Sequence, residues 1–355
     1  MRKINVYING RFLEDKITGI GRFCINIINE FDRFDNSLIN FILLTTKRCN
    51  TSLKYKHIEV RKVGRFTGNI WEQIELPWYS REGVLLSLAS RGPVIKANQV
   101  LTIHDAAPRR TPKRFPFKFR VLLQLIYYML KDRAIITTVS CFSKDELVKY
   151  YNIPKENIYI IPCGIDHFQH DKEDERILDK YHLNEKKYII SVGGTKNKNI
   201  DRVIKAHEKF NDDTYLVIIG NVNKDELSWE KDNIIFTGFV TDEELVTLYK
   251  NARCLVFPSL YEGFGIPPLE AMSLSCPSVV SNTTSLPEVC GEAALYCNPY
   301  DIDDIYQKVK LLIFDENKRS ELIEKGGVQV GKFTWSESAK MFYSIICTMY
   351  ENKRR

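Results

Sequence analysis

The stretch LYEGFGIPPLEAM, Leu260 to Met272, sets two glutamates eight residues apart with two glycines and two prolines between them. In one continuous helix Glu262 and Glu270 would lie about 12 Å apart along the axis. Gly263, Gly265, Pro267 and Pro268 exclude that helix. The run RCLVFP (253–258) reads as a strand, Gly-Phe-Gly-Ile as a tight loop after it, and Pro268 suits the first turn of a helix reaching about Ser275. Glu270 then belongs to that first turn, and Glu262 to the opposite limb of the loop. The amides of residues 263–266 face the same space, where a negative group is favoured. One carboxylate can hold sugar hydroxyls and the other ribose hydroxyls, with a phosphate close by.

The same strand–loop–helix unit recurs along the chain. Apolar, β-branched runs at 4–8, 39–44, 84–88, 100–104, 135–139 and 158–161 are separated by segments able to form helices. A charged stretch follows Asp166, HFQHDKEDERILDKYHLNEKK, with almost no strand character, and is read as a linker. Alternation restarts at 188–193, 215–220, 233–238, 253–258, 277–281 and 294–297. Thr241 and Glu244 have the spacing of a helix-capping box. The chain ends in an amphipathic helix from about Thr334 to Met349. The fold class is α/β with two doubly wound, Rossmann-like domains: residues 1–165, with a final helix at about 336–355 packing back on them, and residues 166–335. Such sheets bind ligands at the carboxyl ends of their strands, facing a cleft.

Composition agrees with two cores. The 355 residues are 44% hydrophobic and 27% charged, with a net charge of +6. Nine cysteines, without a CxxC pair or a Cys/His cluster, predict reduced thiols, no disulfide and no structural zinc. The opening MRKINVYING lacks the apolar core of a signal peptide, so a cytoplasmic protein is expected. One segment, RRTPKRFPFKFR (Arg109 to Arg120), carries six cations and no anion. The apolar run Val121–Leu130 after it is about half the length that spans a bilayer and reads as a buried helix. The cations form a solvated face, or a surface for anionic lipid or ligand. No nucleic-acid motif accompanies them, so no nucleic-acid partner is expected.

Three strand ends carry candidate chemistry. TGIGRF (Thr18–Phe23) has Gly19 and Gly21 where backbone can approach a phosphate before a helix, although a plain tight turn also explains them. His104-Asp105 follows VLTI, and the aspartate either orients the histidine or caps the next segment. VGGTKNKN (192–199) combines Gly193, Gly194, Lys196 and Lys198 ahead of a helix from about Ile200, which suits an anion or a solvated glycine turn.

FPSLYEGFGIPPLEAM resembles the E-x7-E motif of the family-4 retaining glycosyltransferases. TGIGRF resembles their N-terminal glycine loop, VLTIHDAAP their His-Asp strand end, and IIGN, TGFV, SNTTSLPEVCGEAALYCNP and FTWSESA successive landmarks of the second domain. The resemblance covers about Ile4 to Ala339 and implies the GT-B fold, with an acceptor-binding first domain (1–165) and a nucleotide-sugar-binding second domain (166–335). It implies that Glu270 binds the ribose of a nucleoside diphosphate and that Glu262 holds the donor sugar near its reacting carbon. Gly263, Phe264 and Gly265 offer amides to sugar or phosphate, and Lys198 stands at the phosphate-binding lysine. Gly19 and Gly21 close over the pyrophosphate, with Gly193 and Gly194 on the phosphate loop. His104 contacts the donor sugar on the acceptor side. The arginine that often follows the loop glycine is replaced here by Gly194, and Lys196 is its candidate substitute. Cys163 replaces a common asparagine and is not read as catalytic.

The resemblance therefore implies a retaining hexosyltransferase that needs no metal or other cofactor. Its expected partners are a nucleotide-sugar donor, GDP-mannose foremost, and a glycan or polyprenyl-diphosphate-linked acceptor of the kind used in lipopolysaccharide O-antigen synthesis. UDP-hexose and dTDP-rhamnose are the alternative donors. Residues 109–130 are expected to touch an anionic membrane, which makes the protein peripheral on the inner face of the plasma membrane. A glycosidase also uses two carboxylates but has no use for Lys198. A dehydrogenase would need GxGxxG and a following acidic residue, both missing, and a basic adaptor explains only 109–120.

Overall fold

The computed structural model describes residues 3–14, 19–34, 38–49, 54–168, 172–185, 187–211, 213–229 and 232–352. The chain divides into two units, Met1–Gly164 with Trp335–Arg355, and Ile165–Thr334.

The first unit is built on seven parallel strands: β1 (Ile4–Asn9), β2 (Ile39–Thr45), β3 (Glu59–Lys62), β4 (Val84–Ser87), β5 (Gln99–Thr102), β6 (Ile135–Thr138) and β7 (Ile158–Ile160). They lie in the order β3-β2-β1-β4-β5-β6-β7. The helices between them are α1 (Gly19–Arg33), α2 (Gly68–Ile70), α3 (Leu76–Tyr79), α4 (Ala107–Arg110), α5 (Phe117–Leu130) and α6 (Cys141–Tyr151), with a π-helical turn, Trp71–Glu75, joining α2 to α3. Central strands β4 (VLLS) and β5 (QVLT) are buried along their whole length, so their apolar residues run consecutively rather than alternating, with polar residues only at their ends. Only β3 escapes a reading by pattern. EVRK is charged because it is the edge strand, paired on one side alone.

The second unit has β8 (Tyr188–Val192), β9 (Tyr215–Ile219), β10 (Ile234–Gly238), β11 (Leu255–Phe257), β12 (Ser278–Ser281) and β13 (Ala294–Cys297), parallel and in the order β10-β9-β8-β11-β12-β13. Its helices are α7 (Arg176–Lys180), α8 (Ile200–His207), α9 (Asp242–Asn251), α10 (Ile266–Ser273), α11 (Leu286–Cys290), α12 (Ile302–Phe314) and α13 (Glu316–Val330). Helix α9 opens with the Thr241/Glu244 capping box. The final helix, α14 (Trp335–Asn352), belongs to the first unit, where Phe342 meets Phe23 and Phe31 edge-on at 6.3 and 6.4 Å.

Three readings need correction. The charged stretch after Asp166 is not a bare linker: it contains α7 and is part of the second unit, tied to α9 by a hydrogen bond from Asp174 N to Thr247 Oγ1 at 2.9 Å. Helix α5 is buried on one face only. Leu123, Ile126, Tyr127 and Leu130 enter the core, whereas Phe117, Val121, Leu125 and Tyr128 form an exposed apolar stripe. Helix α10 starts at Ile266, so Glu270 is its fifth residue and stands one turn in from the dipole end. Thr18 of the TGIGRF loop and the last three residues of the C-terminal segment, 353–355, lie outside the described residues.

Candidate functional site

Both sheets reverse direction once, between β8 and β11 in the second unit and between β1 and β4 in the first. Open α/β sheets bind ligands at such switch points, where the loops leaving adjacent strands diverge.

In the second unit the loops leaving β8 and β11 carry Lys198 and Glu262, which are in direct contact: Lys198 Nζ donates to Glu262 Oε1 at 2.8 Å. Ser259 Oγ donates to the same carboxylate oxygen at 2.5 Å. The lysine ammonium also sits 4.4 Å from the Phe257 ring centroid, against its face. Side-chain exposures of 17% and 14% leave the pair reachable but mostly shielded from water.

The backbone beneath the pair is cross-braced. Asn197 Nδ2 donates to Tyr261 O at 2.9 Å, Leu260 N donates to Asn197 O at 2.7 Å, and Ser259 Oγ lies 2.9 Å from the same carbonyl, a second acceptor within reach of its one proton. Asn199 caps α8 from the left-handed region, φ +63°, while its amide donates to Pro258 O and Pro299 O. Asparagine tolerates that conformation better than most residues. Ser285 Oγ lies within hydrogen-bond distance of the Glu262 and Phe264 carbonyls, 3.0 and 2.6 Å away, fixing the far side of the glycine loop.

The glycines have reasons in packing. Gly265 adopts φ +114°, and a Cβ there would lie 2.5 Å from Leu286 Cδ2. Gly194 adopts φ +118°, and a Cβ on Gly193 would lie 2.4 Å from Val222 Cγ2. Phe264 is buried and meets Phe333 edge-on at 5.6 Å, so its ring is a wall of the loop and only its main chain can serve a ligand. Gly263 precedes it on the same loop. Glu270 is 7% exposed on α10, and Lys196 begins the short 3-10 turn that ends in Lys198.

In the first unit, His104 lies two residues beyond β5. Its Nε2 is 2.8 Å from Leu88 O, so it donates there and Nδ1 is the acceptor of the neutral ring. Burial against Phe23, whose ring centroid is 4.8 Å away, lowers the His104 pKa to about 4. Histidine is therefore uncharged at neutral pH in this position. Gly19 and Gly21 stand inside the first turn of α1 rather than in a loop before it. A Cβ on Gly19 would meet nothing within 4 Å, whereas Gly21 is buried and lines a cavity. Cys163 is buried and its thiol pKa is raised by desolvation. All nine cysteines are free thiols.

Lys198 and Glu262 thus meet across two loops, with Phe264 and Gly265 on the continuation of the second. His104, Gly19 and Gly21 belong to the first unit. Pattern reading passed over Ser259, Asn197, Asn199 and Ser285, short polar side chains at the ends of buried strands. Their signal is weak: a serine or asparagine after an apolar run is ordinary turn chemistry.

Two family models match the chain: the one described as Glycosyl transferases group 1 over residues 173–328 and the one described as Glycosyltransferase Family 4 over residues 80–168. The chain is 33% identical over 253 residues to O-antigen chain mannosyltransferase B of Escherichia coli, the match covering 66% of each chain. It is 32% identical over 268 residues to the serotype-specific mannosyltransferase WbdA of the same organism, 68% of this chain and 32% of that one. The chain thus spans just under two thirds of the first relative and a third of the second. Its fold is similar to that of sucrose-phosphate synthase from Thermosynechococcus elongatus, with TM-score 0.77 and 15% identity over 99% of this chain and all of that one. The fold is GT-B, built from two Rossmann-like domains.

Proposed function

The chain belongs to the group 1 and family 4 glycosyltransferases, and from that premise we propose that it moves a hexose, mannose foremost, from a nucleoside-diphosphate sugar to a glycan or polyprenyl-diphosphate-linked acceptor in cell-surface polysaccharide synthesis, with retention of configuration. The observation that carries the reading is the Lys198–Glu262 contact at the switch point of the second sheet. Breaking the bond between the anomeric carbon and phosphate leaves positive charge on the sugar and negative charge on the departing diphosphate. A fixed ammonium lowers the barrier where the negative charge develops, because it is oriented before the reaction begins. Lys198 is oriented by Glu262 and the Phe257 ring, and Ser259 holds Glu262 in turn.

Glu262 positions the donor sugar, Glu270 takes the ribose hydroxyls, and the amides around Phe264 and Gly265 receive sugar or phosphate oxygens. Gly193, Gly194 and Lys196 border the phosphate. His104, neutral and accepting at Nδ1, suits a sugar hydroxyl rather than a phosphate. In this mechanism the leaving phosphate oxygen accepts the acceptor's proton, and no metal is needed. Mannose is favoured as the donor sugar by the likeness to the two relatives, mannosyltransferases both.

The exposed stripe of α5, flanked by Arg109, Arg110, Lys113, Arg114 and Lys118, favours peripheral contact with the anionic inner leaflet, where a lipid-linked acceptor would be met. Among the described residues no helix is long and apolar enough to cross a membrane.

Incubation with GDP-mannose, UDP-hexoses and dTDP-rhamnose, with and without a lipid-linked saccharide, tests the reading. Nucleoside diphosphate release that rises with acceptor, and an axial glycoside from an axial donor by NMR, are expected. Release from none of these donors would overturn the reading.

A further inference from the structure

The turn that leads from β12 into α11 breaks three local rules in consecutive residues. Thr284 adopts φ +63°, a left-handed conformation that a β-branched residue rarely occupies and that strains its backbone. Ser285 stands at the N-cap of α11, where a serine hydroxyl ordinarily accepts a hydrogen bond from its own helix, yet it makes no such bond. The Thr283 and Thr284 hydroxyl oxygens are buried with no hydrogen-bond partner among the described residues. Local conflicts of this kind concentrate at functional sites, where something else holds them in place.

The turn places one hydroxyl. Ser285 is fully buried, and its Oγ donates to Phe264 O at 2.6 Å and lies 3.0 Å from Glu262 O, a second acceptor within reach of the same proton. In a trans peptide the N–H points opposite to the C=O. Two carbonyls drawn onto Ser285 therefore turn the Gly263 and Gly265 N–H groups away from it, toward the other side of the loop. Gly265 is buried, and among the described residues none accepts a hydrogen bond from its N–H. A buried backbone donor left unmet is costly, and a ligand oxygen would satisfy it.

The residues that follow give this one amide its weight. Helix α10 opens Ile266-Pro267-Pro268, so two of the four N–H groups that a helix N-terminus offers are missing. Ile266 and Leu269 of the helix and Gly265 of the loop remain as main-chain donors. The loop also packs directly on α11: a Cβ at Gly265 would lie 2.5 Å from Leu286 Cδ2, in the residue next to Ser285. A change in the turn is thus felt at Gly265 through both the hydroxyl and the packing.

We infer that Ser285, placed by the strained turn at Thr284, is a positioning residue of the donor site that aims the Gly265 amide at an oxygen of the nucleotide sugar, on its diphosphate or its hexose. The inference rests on the transferase reading of the Lys198 and Glu262 loops. Phe264-Gly265 is the one Phe-Gly pair in the sequence, so isotopes on the phenylalanine carbonyl and the glycine nitrogen leave a single amide in a carbonyl-filtered NMR spectrum of the full chain. GDP, UDP, dTDP and their sugar derivatives are titrated in turn, with calorimetry to register binding. The Gly265 amide is expected to shift with the nucleoside diphosphate where phosphate is its partner, and with the nucleotide sugar alone where the hexose is. Ser285→Ala is expected to lose at least half of that shift and to lower kcat about tenfold or more, with the affinity for the matching nucleoside monophosphate unchanged, a split that general loosening of the fold would not produce. Ser285→Thr, which keeps the hydroxyl, is expected to recover the shift. An amide unmoved by a ligand that calorimetry shows to be bound, or a Ser285→Ala chain with the wild-type shift and kcat, would overturn the assignment and leave the transferase standing. Binding of no nucleotide and no nucleotide sugar would overturn both.

Discussion

Lys198 and Glu262 are each other's partners before any ligand arrives, and that changes what a substitution at either one does. Removing the lysine leaves a shielded carboxylate with Ser259 as its remaining direct partner among the described contacts; removing the glutamate frees the ammonium that it aims. Glu262→Gln and Lys198→Met are each expected to lower kcat about 10²- to 10³-fold. Their effects should be non-additive, the double variant falling little below the worse single one; steady-state kinetics of the four forms checks this, and full additivity would show that the contact has no role in turnover. Glu270→Ala, by contrast, should weaken donor binding, read as a rise in the dissociation constant of the nucleoside diphosphate. His104 supplies a test of electrostatics. Its folded pKa of about 4 lies below the ordinary value of 6.5, so between those two values the unfolded chain takes up a proton that the folded protein refuses. The folded state is at no disadvantage above pH 6.5 and loses stability as pH falls toward 4. Urea unfolding at pH 7 and pH 4.5 should show the wild type losing about 2 to 3 kcal/mol more than His104→Asn.

At the scale of elements, the turn from β11 into α10 decides whether the site exists. Gly265 combines a left-handed φ with a near approach to Leu286, so a side chain there meets both backbone strain and a clash. Gly265→Ala is expected to cost about 1 to 3 kcal/mol of stability and, because the loop must shift, to weaken donor affinity as well. Thermal unfolding together with titration by nucleoside diphosphate separates the two effects. The strand pattern was legible in the sequence wherever burial on both faces demanded consecutive apolar residues, as in β4 and β9. It failed at β3, where an edge needs charge more than hydrophobicity. Helix α5 misled for the opposite reason: its apolar residues go all the way round, but only one side has a protein core to meet.

Across the whole molecule, the last helix supports the sheet formed by the first residues of the chain. Ala339, Phe342 and Ile346 are fully buried in the first unit, so Phe342→Ala is expected to destabilise it by about 3 to 5 kcal/mol. Hydrogen exchange should show the loss concentrated in residues 1–164, with 165–334 spared. The exposed stripe of α5 and its cations give the first unit an apolar, positive surface. Flotation with phosphatidylglycerol vesicles, but not with phosphatidylcholine alone, is expected, and replacing the stripe residues Phe117, Val121, Leu125 and Tyr128 with serine should abolish it. Flotation unaffected by that replacement would remove the membrane from the account.

The sequence by itself determined the repeated strand–helix alternation, the restart of that alternation in the second half, and the broken stretch around LYEGFGIPPLEAM, because periodicity, glycine and proline act locally. It also carried the resemblance that names the family. Only the tertiary structure decided that Lys198 and Glu262 touch, that Glu270 stands a turn inside its helix, and that Ser285 meets the carbonyls of Glu262 and Phe264. Those contacts join residues more than 20 positions apart. Their geometry is set by which strands lie side by side, and strand order is a property of the packed sheets rather than of any local run of residues.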